Sequence, residues 1–98
     1  MGLETKPWDA ADHLDSEEMI LAYLEAAVED GDPALIAAAI GDVARAKGMT
    51  EVAVEAGLSR ESLYKSLSAD GNPSFGTVLK VLRALGIDLS FKRHVSAA

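Results

Sequence analysis

The stretch 49–67 constrains the fold most, because it carries the signals for two short helices separated by a tight turn. Thr50 is the predicted cap of the first helix, and Gly57 stands where a chain that leaves a helix often turns left-handed. Ser59 is the predicted cap of the second helix. The predicted helices cover Glu51–Ala56 and Arg60–Leu67. Two helices joined by so few residues must cross steeply, so the sequence predicts a helix-turn-helix unit.

The second helix of this unit has an apolar side and a polar side. Leu63 and Leu67 are one turn apart and are predicted to face inward, where Ala53 leaves room for the two backbones to approach. The outward residues carry groups that suit base edges and phosphates: Ser59, Arg60, Glu61, Ser62 and Lys65. A plain helical hairpin with a solvated polar side has the same pattern, so this stretch alone leaves both interpretations open.

The composition fits one small globular domain and excludes several classes of site. The chain has 98 residues, of which 49% are hydrophobic, and it has no cysteine. A disulfide framework, a thiolate zinc site and a cysteine nucleophile are therefore excluded. No apolar run approaches the roughly 18 residues that a membrane span needs, so we expect no membrane association and a cytoplasmic protein.

Charge is distributed unevenly along the chain, whose formal net charge is −7. Residues 1–47 contain eleven acidic and three basic residues, whereas residues 48–98 contain five acidic and six basic residues. The half with the helix-turn-helix unit can therefore bind DNA, although weakly per subunit and in a salt-sensitive manner. The acidic half suits a basic protein partner, or is only a solvated surface.

The N-terminal half begins with an irregular segment and continues with two helices. Residues 1–14 lack periodicity and contain Pro7, so they are predicted to form an extended arm in which Trp8 folds back onto the core or binds a partner. Asp9, Asp12 and His13 form no convincing metal site, and none is assigned. Asp15 is predicted to cap the first helix, and Asp32 the second. These helices are predicted over 16–30 and 33–47.

A turn-rich loop follows the helix-turn-helix unit and leads to a further capped helix over 75–85. Ser74 is its predicted cap, and Asn72, Ser74 and Thr77 are placed where short donors could hold a DNA phosphate. An ordinary turn and cap would use the same residues. The predicted apolar stripe of this helix consists of Phe75, Val78, Leu79, Leu82 and Leu85.

The C-terminal segment 87–98 begins with alternating apolar and polar residues, the period of a β-strand with one buried face. No other segment offers a second strand. The predicted strand would therefore pair with a second subunit or a partner protein, with an irregular tail as the alternative. Pairing around a twofold axis would place two recognition helices about 34 Å apart on a palindromic site.

An enzyme is not expected, and neither is a cofactor. Both histidines, His13 and His94, lie in predicted arms, and the chain contains no phosphate-binding loop or metal motif.

The run MTEVAVEAGLSRESLYKSLSADGNPSFGTVLKVLRALGI resembles the XRE-type, lambda-repressor-like helix-turn-helix domain. Its parts GLSRESLYKSLS, DGNP and TVLKVL are similar to addiction-module antidote proteins, the HigA-like antitoxins. The resemblance implies an all-α, five-helix fold with a dimer that binds operator DNA, represses its own operon and neutralises a RelE/ParE-superfamily toxin. It also implies DNA contacts by Thr50, Ser59, Arg60, Glu61, Ser62, Lys65, Asn72 and Ser74.

One residue departs from that pattern. Many XRE-type domains begin the first motif helix with a glutamine that binds phosphate, whereas this chain has Glu51. Two alternatives therefore remain beside the antitoxin: a solitary prophage-like repressor, and a protein-binding module that keeps the scaffold without binding DNA.

Overall fold

The computed structural model describes residues 9–95, which are folded into helices joined by short turns. A 3₁₀ turn, Ala10–His13, precedes five α-helices in this part of the chain. They are α1 Glu17–Asp30, α2 Pro33–Lys47, α3 Met49–Ala56, α4 Arg60–Ser66 and α5 Phe75–Ala84. The prediction of an all-α protein with five helices is confirmed.

Short polar side chains fix where the first two helices begin. The Ser16 hydroxyl accepts a hydrogen bond from the Met19 N–H at 3.1 Å, and the Asp32 carboxylate accepts one from the Ala34 N–H at 3.0 Å. Each bond satisfies a backbone donor that has no partner inside its helix. The cap of α1 is therefore Ser16 and not the predicted Asp15, while Asp32 caps α2 as predicted.

Helix α3 lies in the middle of the fold, where it contacts α2, α4 and α5, and α1 packs on α2. The central core is apolar and includes four almost inaccessible side chains, Ala44, Val52, Leu63 and Val81. These residues come from four different helices. The core therefore fixes the position of α4, which carries four of the eight predicted DNA contacts, relative to the rest of the domain.

A glycine lets α2 and the end of α4 meet backbone to backbone. A Cβ atom built on Gly41 would lie 2.2 Å from the Leu67 carbonyl oxygen, well inside contact distance. Glycine is unfavourable inside helices, so its presence here reflects this close approach.

The 3₁₀ turn is joined to α2 and α1 by hydrogen-bonded side chains. The Arg45 guanidinium donates to Asp9 at 2.7 Å and also to Asp42, which in turn accepts from the Tyr23 hydroxyl. Residues 10–13 are therefore folded against the domain, and the predicted extended arm is wrong over them because these bonds and the burial of Ala10 and Leu14 hold them in place. Trp8 lies outside the described residues.

These contacts displace two pKa values. The hydrogen bond from Arg45, followed by the one from the Ala11 N–H, lowers the pKa of Asp9 below its usual range. Partial burial of the phenol and its hydrogen bond to Asp42 raise the pKa of Tyr23 to about 12. Both shifts favour the protonation states that are present at neutral pH.

Helix α5 turns three residues of its predicted apolar stripe to the core, Val78, Leu82 and Leu85, but not the other two. Phe75 is 64% exposed and Leu79 is also exposed, whereas Val81 is fully buried. Val78, Val81, Leu82 and Leu85 share one side of the helix, and packing against α3 selects that side. Phe75 and Leu79 lie at its flank, so their predicted place in the buried stripe is wrong.

The C-terminal segment forms no strand in the described residues 87–95. The Ile87 N–H donates to the Leu82 carbonyl at 2.9 Å, which ends α5, and residues 88–95 are exposed. A strand needs a neighbour for its backbone hydrogen bonds, and the described helices offer no sheet edge. The predicted strand is therefore wrong for the isolated chain.

We expect Gly41→Ala to lower the free energy of unfolding by about 1–3 kcal/mol, because its methyl group would press on a backbone carbonyl. The matched control is Gly76→Ala near the start of α5, where a Cβ would meet only the Ser74 hydroxyl, at 3.8 Å. That control should leave stability unchanged or raise it by up to about 1 kcal/mol. Urea unfolding measures both, and equal effects would contradict the close approach.

We expect the Tyr23 hydroxyl to stabilise the fold below pH 10 and to lose that effect as the pH rises from 10 towards 12. The pKa of Tyr23 is about 12 in the folded chain and about 10 in an unfolded one. The phenol therefore ionises at lower pH in the unfolded chain, and its ionisation favours unfolding. Urea unfolding at pH 8 and pH 11 should show a larger alkaline loss of stability for the natural chain than for Tyr23→Phe. Equal losses would exclude the linkage.

Candidate nucleic-acid interface

The turn between α3 and α4 has the predicted geometry. Gly57 has a φ angle of 71°, in the left-handed region where glycine is favoured, and the Leu58 N–H donates to the Ala53 carbonyl at 2.9 Å. Ala53 is buried, and its small side chain leaves room for α4 to cross closely. The chain thus leaves α3 abruptly and enters α4 within three residues, Gly57–Ser59.

Ser59 fixes the first turn of α4. Its hydroxyl oxygen accepts a hydrogen bond from the Ser62 N–H at 3.1 Å, and its carbonyl accepts one from the Leu63 N–H at 3.0 Å. Leu63 and Leu67 are buried, as predicted, and they hold one side of the helix against the core. The opposite side is exposed and consists of Arg60, Glu61, Ser62, Tyr64 and Lys65.

The exposed side of α4 carries two cations suited to phosphates or base edges. No ion pair found in the described residues involves Arg60 or Lys65. The Arg60 guanidinium lies 5.4 Å from the centre of the Tyr64 ring, a cation–π distance that restrains the side chain without neutralising it. Arg60 therefore keeps its planar set of donors for an acceptor such as a guanine edge.

The start of α3 differs from the prediction. The helix begins at Met49, and its N-cap is Gly48, which supplies no side-chain hydrogen bond. Thr50 is therefore not a cap: it lies exposed in the first turn, where its hydroxyl can donate to a phosphate. Glu51 is in the same turn, and its Oε2 atom lies 3.7 Å from the place of a Cβ on Gly48. This carboxylate sits near the helix end that would otherwise attract an anion.

The loop after α4 is folded against the end of that helix. The Gly71 N–H donates to the Ser68 carbonyl at 2.9 Å, and a Cβ on Gly71 would lie 2.2 Å from the Ser66 carbonyl. Asn72 follows directly and is exposed. The structure thus places Asn72 next in the chain to a residue that touches α4.

The Ser74 hydroxyl is already engaged within its own helix. It accepts from the Thr77 N–H at 3.1 Å and donates to the Thr77 hydroxyl at 3.0 Å. Ser74 is the cap of α5, as predicted, but its hydroxyl proton is directed at Thr77. A phosphate at this position would therefore meet the backbone donors at the start of α5.

The sequence-based prediction of DNA contacts omitted two exposed aromatic residues. Tyr64 lies under Arg60, and the spacing of four residues on one helix would have indicated the pair. Phe75 lies exposed beside the cap of α5, but its apolar character assigned it to the core. Both present rings to solvent near residues that we predict to contact DNA.

Neither a metal cluster nor a membrane span appears in the part of the chain that the structure describes. Over residues 9–95, no three His, Asp or Glu side chains are grouped as metal ligands would be. The same residues contain no helix that is long and apolar enough to cross a bilayer.

Comparisons with known proteins give a consistent family. Residues 4–93 match the family model of a probable addiction module antidote protein. An uncharacterised protein of Haemophilus influenzae strain Rd is 46% identical over 90 residues, which cover 92% of this chain and 93% of that protein. No solved structure matches the chain significantly. The chain therefore belongs to the family of probable addiction module antidote proteins.

Proposed function

We propose that this protein is the antitoxin of a type II toxin–antitoxin module. It binds operator DNA through the helix-turn-helix unit, represses its own operon and neutralises a toxin of the RelE/ParE superfamily. The family supports the antidote role, a toxin as partner and a regulatory rather than enzymatic role. The observation that carries DNA binding is the exposed side of α4, on which Arg60 and Lys65 lie without ion-pair partners in the described residues.

The proposed DNA contacts divide by chemistry. Arg60, with Ser59, Glu61 and Ser62, lies in the first turn of α4, the part of a recognition helix that meets base edges. The phosphate backbone would be held by exposed donors on Lys65, Thr50 and Asn72. Ser74 caps α5, whose first backbone N–H groups would be further donors. Base contacts give specificity, whereas phosphate contacts give affinity and orientation.

The protein acts on DNA as a homodimer. Its net charge of −7 repels the duplex, and one α4 offers only two cations, so a single copy would bind weakly. Two copies related by a twofold axis would double the contacts and read a palindromic operator, with half-sites about one helical turn apart. The lambda-repressor-like arrangement that we propose for the five helices is compatible with this geometry.

Two other functions would use the same fold. A solitary repressor would keep the DNA surface and have no toxin. A protein-binding module would have lost DNA binding, which Glu51 at the start of α3 favours because its charge repels phosphate.

Replacing Arg60 or Lys65 by alanine should weaken binding to the promoter fragment upstream of the gene. We expect a loss of about 1–3 kcal/mol for Arg60→Ala if it contacts a base, and a flatter salt dependence for Lys65→Ala. Mobility shifts over a range of salt concentrations measure both effects. Arg83→Ala, in the last turn of α5, is the control and should bind normally. No shift by the natural protein at low salt would exclude DNA binding.

Co-expression with the small reading frame beside this gene tests the antitoxin function. We expect the neighbouring product to arrest growth alone and to be neutralised by, and to co-purify with, the natural protein. The Arg60→Ala, Lys65→Ala double variant should still neutralise it while failing to repress the promoter, because the toxin would bind outside the helix-turn-helix unit. The absence of such a frame, or of a complex, would favour the solitary repressor.

A further inference from the structure

The C-terminal tail, residues 88–95, is an exposed segment that is both apolar and basic. Leu89, Phe91 and Val95 lie at alternating positions, so an extended chain would place them on one side. Phe91 is 90% exposed and Val95 is 84% exposed, so the fold of the same chain does not cover them. Arg93 shares this side, between Phe91 and Val95, and Lys92 lies on the other side. Apolar side chains exposed to this degree along one segment indicate a contact surface.

The outer side of α1 has the complementary character. Glu18, Glu25 and Glu29 are spaced by seven and four residues and form one exposed row on the helix. Leu21 and Val28 lie beside this row, and Val28 is 59% exposed. The helix has no basic residue, and the ion pairs found in the described residues do not involve its acidic side chains.

The charges of α1 are unfavourable for an isolated helix. Glu25 and Glu29 are four residues apart and repel each other, and the last turn carries Glu29 and Asp30 where cations would stabilise the helix dipole. A cationic segment lying along this side would relieve both effects. This is a reason, independent of the exposed apolar residues, to expect a basic partner here.

The tail and the helix also have similar lengths. Residues 89–95 span roughly 23 Å when extended, and the 14 residues of α1 span about 21 Å. An extended tail can therefore place its apolar side chains against Leu21 and Val28 while Arg93, on the same side of the tail, reaches Glu25 or Glu29.

We propose that the tail of one copy lies along the outer side of α1 of a second copy, and that this reciprocal exchange forms the dimer. The inference deepens the proposed function, which requires a dimer for operator binding. A second copy is favoured over other partners because it carries both the tail and the acidic side of α1. Two copies related by a twofold axis would therefore make the same contact twice. Within one copy the tail stays exposed. It follows Ala84, the last residue of α5, whose carbonyl accepts a hydrogen bond from Lys47 at the C-terminal end of α2.

Charge-swapped variants test this pairing. The tail variant is Lys92→Glu, Arg93→Glu, and the helix variant is Glu25→Lys, Glu29→Lys. Each variant alone places like charges together. The dissociation constant of its dimer should therefore be at least tenfold higher than that of the natural dimer. An equimolar mixture of the two variants should form heterodimers with about the natural dissociation constant, because each tail then meets an α1 of opposite charge. Analytical ultracentrifugation measures the dissociation constants.

Two further variants complete the experiment. Phe91→Ser removes an exposed ring without touching the core, and it should weaken the dimer as well. Lys80→Glu, Arg83→Glu makes the same charge change on exposed residues of α5, and its dimer should match the natural one.

Four results would overturn the inference: a monomeric natural protein, unchanged dimers in both charge variants, no recovery in the mixture, or a tail variant that stays dimeric but no longer neutralises the toxin. The last result would assign the tail to the toxin. Failure of the proposed function is scored separately, by operator shifts and growth rescue with the natural protein. A dimer that binds operator but is unaffected by the charge variants would refute only the exchange, and a tail-paired dimer that binds no DNA and rescues no growth would refute only the function.

Discussion

The close crossing of α3 and α4 is the contact on which the rest of the structure depends. Ala53 is small and buried, and its carbonyl accepts the Leu58 N–H, so the second helix starts directly over the first. This crossing drives Leu63 into the core beside Val52 and leaves the other side of α4 exposed. Because α3 also contacts α2 and α5, the whole domain fixes the direction in which the exposed side chains of α4 point.

Features that depend on a few neighbouring residues could be predicted from the sequence. A cap needs only a short polar side chain and the N–H groups two or three residues later, so Asp32, Ser59 and Ser74 were identified correctly. The same rule failed for Thr50, because α3 begins two residues earlier than predicted, directly after Gly48. Local chemistry gives the candidates for a cap, and the path of the backbone decides among them.

Features that depend on distant contacts could not be predicted. The apolar residues of α5 allow more than one buried side, and the fit against α3 selects the one with Val81. The alternation after residue 86 describes side-chain spacing but not whether a neighbouring strand exists. The exposure of α4 was predictable from Leu63 and Leu67, and so was the Arg60–Tyr64 pair. Which of the exposed residues would touch DNA in the proposed complex depends on the docking of the duplex and not on local sequence.

Charge connects the proposed dimer to DNA binding. The acidic half of the chain creates a negative field that opposes approach to a duplex, and Glu51 adds a carboxylate at the start of the motif. A dimer formed by the tail would bring Arg93 of one copy against Glu25 and Glu29 of the other, although each copy would keep its net charge of −7. The same contact would pair two α4 helices. Dimerisation would therefore strengthen the proposed DNA binding by doubling the specific contacts that oppose this repulsion, and a monomer would release its operator readily.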